Sequence, residues 1–389
     1  MNMMHKIYII AGEPSGDALG ADLMQGLRAQ FPGCVFYGIG GLHMEKAGLQ
    51  SLFPMSELSI MGLFEIIPHL FHIRKRIQQT VDHIISIKPD VLVTIDSSGF
   101  THRVIKKVKY AIIKNHHQYI PAVHLAAPPV WAWRPWRAKS ISKFIDHLLC
   151  LFPFEPAYFI PHGMKATFVG HPVIARIKEL KLKQHDLQIN SQKSILILPG
   201  SRISEIKMLL PIFIEAAQQL NTYEKKDFTL VTLPHLKDVV ASYIPDDLNI
   251  RIVTDAADKE MTFLTAHSAI AASGTVSLEL AAFGVPHLVA YKTSYLTGIL
   301  LKLLVKIPYV ALPNIIAKSL IVPELLQQNC TSQKIFQAFL EIDHDAQKRS
   351  LQKVCEALYP GGGMPIAARC AHIIEENIHD KTSHQHSKA

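Results

Sequence analysis

The sequence is poor in cysteine, and the five it has (Cys34, Cys150, Cys330, Cys355 and Cys370) form neither an even set nor a C-x-x-C pair. That excludes a disulfide framework and a cysteine-built zinc site, and leaves scattered reduced thiols. Long apolar runs are missing too: no stretch of about 18 uncharged apolar residues is present to span a bilayer. The short β-branched run at Lys6–Ala11 is followed by no small-residue cleavage site. It is therefore read as a first strand rather than a signal segment, and the expected location is cytoplasmic. No helix-turn-helix, RNP or zinc-finger pattern occurs, which argues against nucleic acid as a partner. Acidic residues are in deficit, 32 against 40 basic, for a formal charge of +8. The surplus favours an anionic partner such as a nucleotide-sugar or a lipid surface.

What is present is a globular composition, 49% apolar and 19% charged over 389 residues, enough for two domains with separate cores. Strand-like runs alternate with helical ones. In the first half they fall near Lys6–Ala11, Cys34–Tyr37, Val91–Ile95, Ala122–Ala126, His147–Leu151 and Thr167–Val169. The pattern restarts at Ser194–Leu198, Phe228–Leu233, Ile250–Val253, Ser268–Ala271 and His287–Ala290. The expected class is α/β, with two doubly wound parallel sheets. Residues 1–172 form the first domain and 173–364 the second; the break follows "FVGHPV", where a Gly-His-Pro turn leads into a polar segment. A last helix at 365–377 follows the breaker "YPGGG" and is expected to cross back to the first domain, leaving 378–389 as a disordered, His-rich tail.

In such sheets ligands bind beyond the C-terminal ends of the strands, so the loops there carry the chemistry. The first, "AGEPSGD", contains Gly12, Glu13, Ser15, Gly16 and Asp17. It lacks the G-x-G-x-x-G spacing and puts two acids where a phosphate would sit, so it suits hydroxyls better than phosphate and disfavours a dehydrogenase. "TIDSSGF" places Asp96 just past a buried strand, where partial burial can tune it as a base. Glu13 rivals it for that role. In "AASGTVSLE", a strand ends at Ser273, Gly274 and Thr275 and a helix begins at once. Backbone N–H groups, hydroxyls and the positive helix end could hold a diphosphate there without metal, with Glu279 one turn on for ribose hydroxyls; a capped helix with an ordinary acid is the plain alternative. "LPGSRISE" adds Arg202, which either bridges phosphate oxygens or pairs with Glu205 on the surface. All three tryptophans lie in "PPVWAWRPWR", where Trp133 and Arg134 suit a sugar phosphate or an acyl chain, or else belong to a core cluster.

Together, "AGEPSGD", "GIGG", "MGLFE", "VWAWR", "LFPFEP", "FVGHP", "LPGSR", "SGTVSLE" and "LPNI" resemble the lipid-A-disaccharide synthases, inverting glycosyltransferases of GT-B architecture, through almost the whole chain. The resemblance implies two Rossmann-like domains with a cleft between them, acceptor bound by the first and UDP-sugar by the second. It implies a hexosyltransferase of lipid A (lipopolysaccharide) biosynthesis that needs neither metal nor cofactor. UDP-2,3-diacylglucosamine would donate its sugar to the 6-hydroxyl of lipid X. It further implies peripheral association with the cytoplasmic face of the inner membrane of a Gram-negative bacterium, with a homodimer as one option. By motif position Asp96 becomes the base, with Glu13 beside it. Ser15, Gly16, Met61, Glu65, Trp133 and Arg134 become substrate contacts, Arg202, Ser273, Gly274, Thr275 and Glu279 donor contacts, and Asn314 a polar group near the cleft. The chain departs from the family pattern at Ser98, Thr101, Ala127 and Pro129.

Two competing functions remain at this level. A UDP-sugar 2-epimerase would need acids flanking one bound sugar, and a non-catalytic UDP-sugar or lipid-binding protein would keep the Ser273–Glu279 loop without using Asp96. Two stretches pair apolar residues with cations as a membrane surface requires: "IMGLFEIIPHLFHIRKR" and "YLTGILLKLLVKIPY". Both also read as core helices with basic edges.

Overall fold

The computed structural model describes residues 4–58, 66–177, 194–293 and 307–386; the side chains of 66–70 and 381–386 are not described. Met61, Glu65 and most of the "YLTGILLKLLVKIPY" stretch lie outside the described residues. The chain divides into two compact units, one of Met1–Pro172 with Pro360–Ala389, the other of Val173–Tyr359.

The first unit is built on seven strands: β1 (Lys6–Ala11), β2 (Val35–Ile39), β3 (Gln50–Ser51), β4 (Val91–Ile95), β5 (Ala122–Leu125), β6 (His147–Cys150) and β7 (Lys165–Phe168). They pair in the order β3-β2-β1-β4-β5-β6-β7, and every pairing is parallel. A central parallel strand is covered on both faces, so it reads as an unbroken apolar run, and β1 is such a run. Tyr8 and Ile10 point to one face with the helices Ile66–Ile87 and Ser98–Lys114. Ile7, Ile9 and Ala11 point to the other, against the helices Pro14–Gln30 and Ile366–His386.

The C-terminal helix docks on Pro14–Gln30 at Gly26, where an added Cβ would come within 2.6 Å of the Ala367 carbonyl oxygen. This helix corrects one sequence expectation, since it runs on past Asn377 to His386 in place of a tail beginning at 378. Tertiary contacts extend it. Ile378 is buried on the first sheet, the Asn377 amide meets Nδ1 of His147 at 3.0 Å, and Lys165 pairs with Asp380 at 2.8 Å.

The second unit has six parallel strands: β8 (Ile195–Leu198), β9 (Phe228–Val231), β10 (Ile250–Val253), β11 (Ser268–Ala272), β12 (His287–Tyr291) and β13 (Glu324–Leu326). Their order is β10-β9-β8-β11-β12-β13. In each sheet the strand order reverses once, between β1 and β4 and between β8 and β11, and such a switch point is where a doubly wound sheet opens to ligand. The loops after β1, β4, β8 and β11 are the four the sequence marked as chemical.

Candidate functional site

At the first switch point β1 and β4 run in register to Ala11 and Ile95, so the residues that follow meet. Gly12 is needed for this approach: a Cβ there would lie 2.6 Å from Oγ of Ser97. Glu13 then precedes the helix Pro14–Gln30 in extended conformation, with Pro14 setting the first turn. On the neighbouring strand Asp96 and Ser97 both take left-handed backbone, φ 48° and 44°. Ala126, just past β5, does so as well, with φ 71°. Non-glycine residues held this way cost on the order of 1–3 kcal/mol each and cluster where a site over-determines them.

The result is two carboxylates linked through one serine. Ser97 donates its backbone N–H to Oδ1 of Asp96 at 2.8 Å and makes a long hydroxyl contact of 3.4 Å to Oε1 of Glu13. Burial pushes the Asp96 carboxyl above its ordinary range, opposed by the Ser97 N–H. Glu13 is raised by burial and then by the Asp96 charge, opposed by the Ser97 hydroxyl. Two acids held at raised pKa on adjacent strand ends form a proton-accepting pair suited to a hydroxyl substrate.

Other residues of these loops have structural employment. Asp17, one of the two acids of the "AGEPSGD" loop, is 3% exposed. Its carboxylate accepts backbone N–H groups of Gly41, His43 and Met44 at 2.8, 3.0 and 3.1 Å, tying the first helix to the "GIGG" loop. Gly16 is buried in the first turn of the helix, where an added Cβ would meet Ala11 and Ile95 at 3.5 Å, an ordinary contact, while Ser15 beside it is exposed. The tryptophans divide: Trp131 packs edge-on against Phe154, Trp133 carries the Arg134 guanidinium 3.8 Å over its ring, and Trp136 is exposed. Trp133 and Arg134 follow β5, on the same end of the sheet as Asp96.

At the second switch point β11 ends at Ala272, Gly274 and Thr275 are exposed, and the helix Val276–Phe283 starts immediately. The turn engages part of its own helix start: the Ser277 N–H meets the Gly274 carbonyl at 3.3 Å and the Leu278 and Glu279 N–H groups meet the Thr275 carbonyl at 3.0 and 3.2 Å, while the positive end of the helix still favours negative charge there. Across the switch Arg202 occupies the N-cap position of the helix Ile203–Tyr223 without a side-chain capping bond. Its guanidinium extends into solvent with a 3.5 Å contact to Glu205, and Glu205 also accepts the Ser201 N–H at 3.2 Å. Tyr291, which the sequence did not mark, joins this group from the end of β12; burial raises its phenol, and Glu205 raises it further against Arg202.

The expected donor contact Glu279 and the expected cleft residue Asn314 are both already engaged. Glu279 pairs with Lys259 at 2.6 Å, so a ribose would share that carboxylate. Asn314 is fully buried rather than lining an open surface. Its amide donates to the Val322 carbonyl and to Glu324, and its oxygen accepts from Ile321 and Val322, all at 2.8–2.9 Å. It fastens the segment leading into β13. No group of three or more metal-ligating side chains gathers among the described residues.

The family described as lipid-A-disaccharide synthetase matches residues 7–375. The lipid-A-disaccharide synthase of Ruegeria pomeroyi is 41% identical over 390 residues, covering 96% of this chain and 95% of the relative. That of Rickettsia prowazekii is 38% identical over 367 residues, covering 90% and 92%. Among solved structures, UDP-N-acetylglucosamine 2-epimerase from Rickettsia bellii has a TM-score of 0.61 at 14% identity, covering 96% of this chain and 97% of its own. Acinetobacter baumannii MurG has 0.54 at 14% identity, covering 96% and 99%. At such identities the likeness speaks for the fold, two parallel-sheet α/β domains of GT-B type. Sequence similarity along nearly the whole length carries the assignment further: the chain belongs to the lipid-A-disaccharide synthetase family.

Proposed function

We propose that the chain transfers the 2,3-diacylglucosamine unit of UDP-2,3-diacylglucosamine to the 6-hydroxyl of lipid X, giving the β-1,6-linked disaccharide 1-phosphate and UDP. The observation that carries this reading, within the family, is the Asp96–Ser97–Glu13 arrangement at the first switch point. Asp96 takes the proton from the acceptor hydroxyl as its oxygen attacks the anomeric carbon, and the glycosidic electron pair leaves with UDP. One base suffices because the nucleotide is the leaving group, unlike the two carboxylates of a glycoside hydrolase. Ser273, Gly274 and Thr275 at the helix start, with Arg202, neutralise the departing diphosphate, and Glu279 with Lys259 contacts the nucleoside.

Purified protein given both lipids should release UDP, release should stop when either is omitted, and EDTA should leave the rate unchanged. Equal release from the donor alone would mean hydrolysis. Interconversion of UDP-sugar epimers would mean an epimerase, and a strict Mg²⁺ requirement on add-back would overturn the metal-free scheme.

We also propose that these acylated substrates are met at the cytoplasmic surface of the inner membrane, since each CH₂ drawn into water costs about 0.8 kcal/mol. No helix among the described residues is long and apolar enough to cross a membrane. Phe71 is 84% exposed on its helix, with Arg74 and Lys75 exposed nearby. Arg76 is not available for lipid, being held by Glu57 at 2.7 Å. Binding to anionic vesicles should weaken with salt, and Phe71→Ser, at a solvent-facing position, should reduce it without changing the melting temperature. Undiminished sedimentation of the variant with vesicles would remove this surface from the proposal.

A further inference from the structure

We infer that Thr101 is a positioning residue for Asp96, its buried hydroxyl holding the left-handed turn from which the Asp96 carboxylate projects. The inference rests on the reading of Asp96 as the base. Thr101 sits in the first turn of the helix Ser98–Lys114 and is fully buried. Its hydroxyl donates to the main-chain carbonyl of Asp96 at 2.9 Å and to that of Ser97 at 3.1 Å. Those are the two residues with φ 48° and 44°. Neither is glycine, so the turn is disfavoured by its own sterics and persists through what surrounds it.

Several bonds converge there. The Asp96 N–H donates to the Leu125 carbonyl at 3.0 Å, anchoring the turn to β5. The Ser97 carbonyl also receives the N–H groups of Phe100 and Thr101 at 2.9 and 3.1 Å. The second of these comes from Thr101 itself, so one residue clamps both strained peptide units by hydroxyl and main chain. The Ser97 N–H that contacts the carboxylate lies between the two clamped carbonyls. A shift of this turn would move the carboxylate and its donor together, and misplacement of about 1 Å in a catalytic group can cost on the order of 10²-fold in rate.

The experiment uses the full chain with lipid X and UDP-2,3-diacylglucosamine, reading kcat and KM by UDP release, with thermal melts of each variant. Thr101→Val keeps shape and removes the donor; kcat should fall about 10- to 100-fold with KM within about twofold of wild type. Thr101→Ser restores a hydroxyl without the methyl, and its kcat should stay within about threefold of wild type. A folded Thr101→Val with wild-type kcat, while Asp96→Asn is inactive, would overturn the inference and leave the base assignment intact. A folded Thr101→Ser with kcat lowered about 10-fold or more would also overturn it, since the methyl and not the hydroxyl would then matter; this arm is read against wild type and serves even where the valine variant fails to fold. An active Asp96→Asn would remove the base reading itself, and the positioning role with it.

Discussion

Asp96→Asn is expected to lower kcat by about 10² to 10⁴ with little change in KM, because asparagine keeps the shape of the side chain and removes its ability to accept a proton. The Ser97 N–H can still donate to the amide oxygen, so the left-handed turn should survive and melting should be close to wild type. Glu13→Gln is expected to be milder: Glu13 is exposed, and its raised pKa depends in part on the Asp96 charge. Kinetics on the two variants decide the roles, and a larger loss in Glu13→Gln would make Glu13 the base. The pH profile carries the same information. Both carboxyls are raised, so the pair keeps its proton to higher pH than ordinary carboxylates do. The acid limb of kcat/KM should therefore lie above the ordinary carboxylate range. Removing the Asp96 charge lets Glu13 fall back toward its usual value.

Asn314→Ala is expected to destabilise the protein by about 3–5 kcal/mol, the range reached when a buried network loses its central member. The substitution strands the Val322 N–H and carbonyl, leaves the Ile321 N–H with the Ser319 carbonyl alone, and removes a donor from Glu324. Glu324 would still accept the N–H groups of Val310 and Ala311 at 2.9–3.0 Å, but with one charge-assisted bond fewer. Denaturant titration measures the loss. A variant with wild-type stability and a raised KM for the UDP-sugar would instead return Asn314 to the substrate site.

The central strands could be read from the chain because parallel strands covered on both faces must be apolar at almost every position, and β1, β4, β8 and β11 are marked by such runs. The short edge strands β3 (Gln50–Ser51) and β13 (Glu324–Leu326) left no such mark. Two or three residues at a sheet edge carry neither periodicity nor a burial requirement. Glycine and proline punctuation located the four chemical loops, since a strand that stops at Gly12 or Ser273 and passes straight into a helix leaves its donors and carboxylates at the strand end.

What local order could not supply was the partner of each side chain. Asp17 and Glu13 stand in one motif, yet one is consumed by the N–H groups of the "GIGG" loop and the other meets Asp96 across the sheet. Glu279 is tied to Lys259 from an earlier helix, and Asn314 to a segment that follows it. By itself the sequence determined the α/β class, the strand-end loops and the residue types placed there, because burial and turn chemistry act over a few neighbouring residues. Tertiary structure alone decided which polar groups are spent on the fold and which remain for chemistry. Hydrogen bonds and ion pairs saturate their groups in space, between residues whose separation along the chain carries no trace of the pairing.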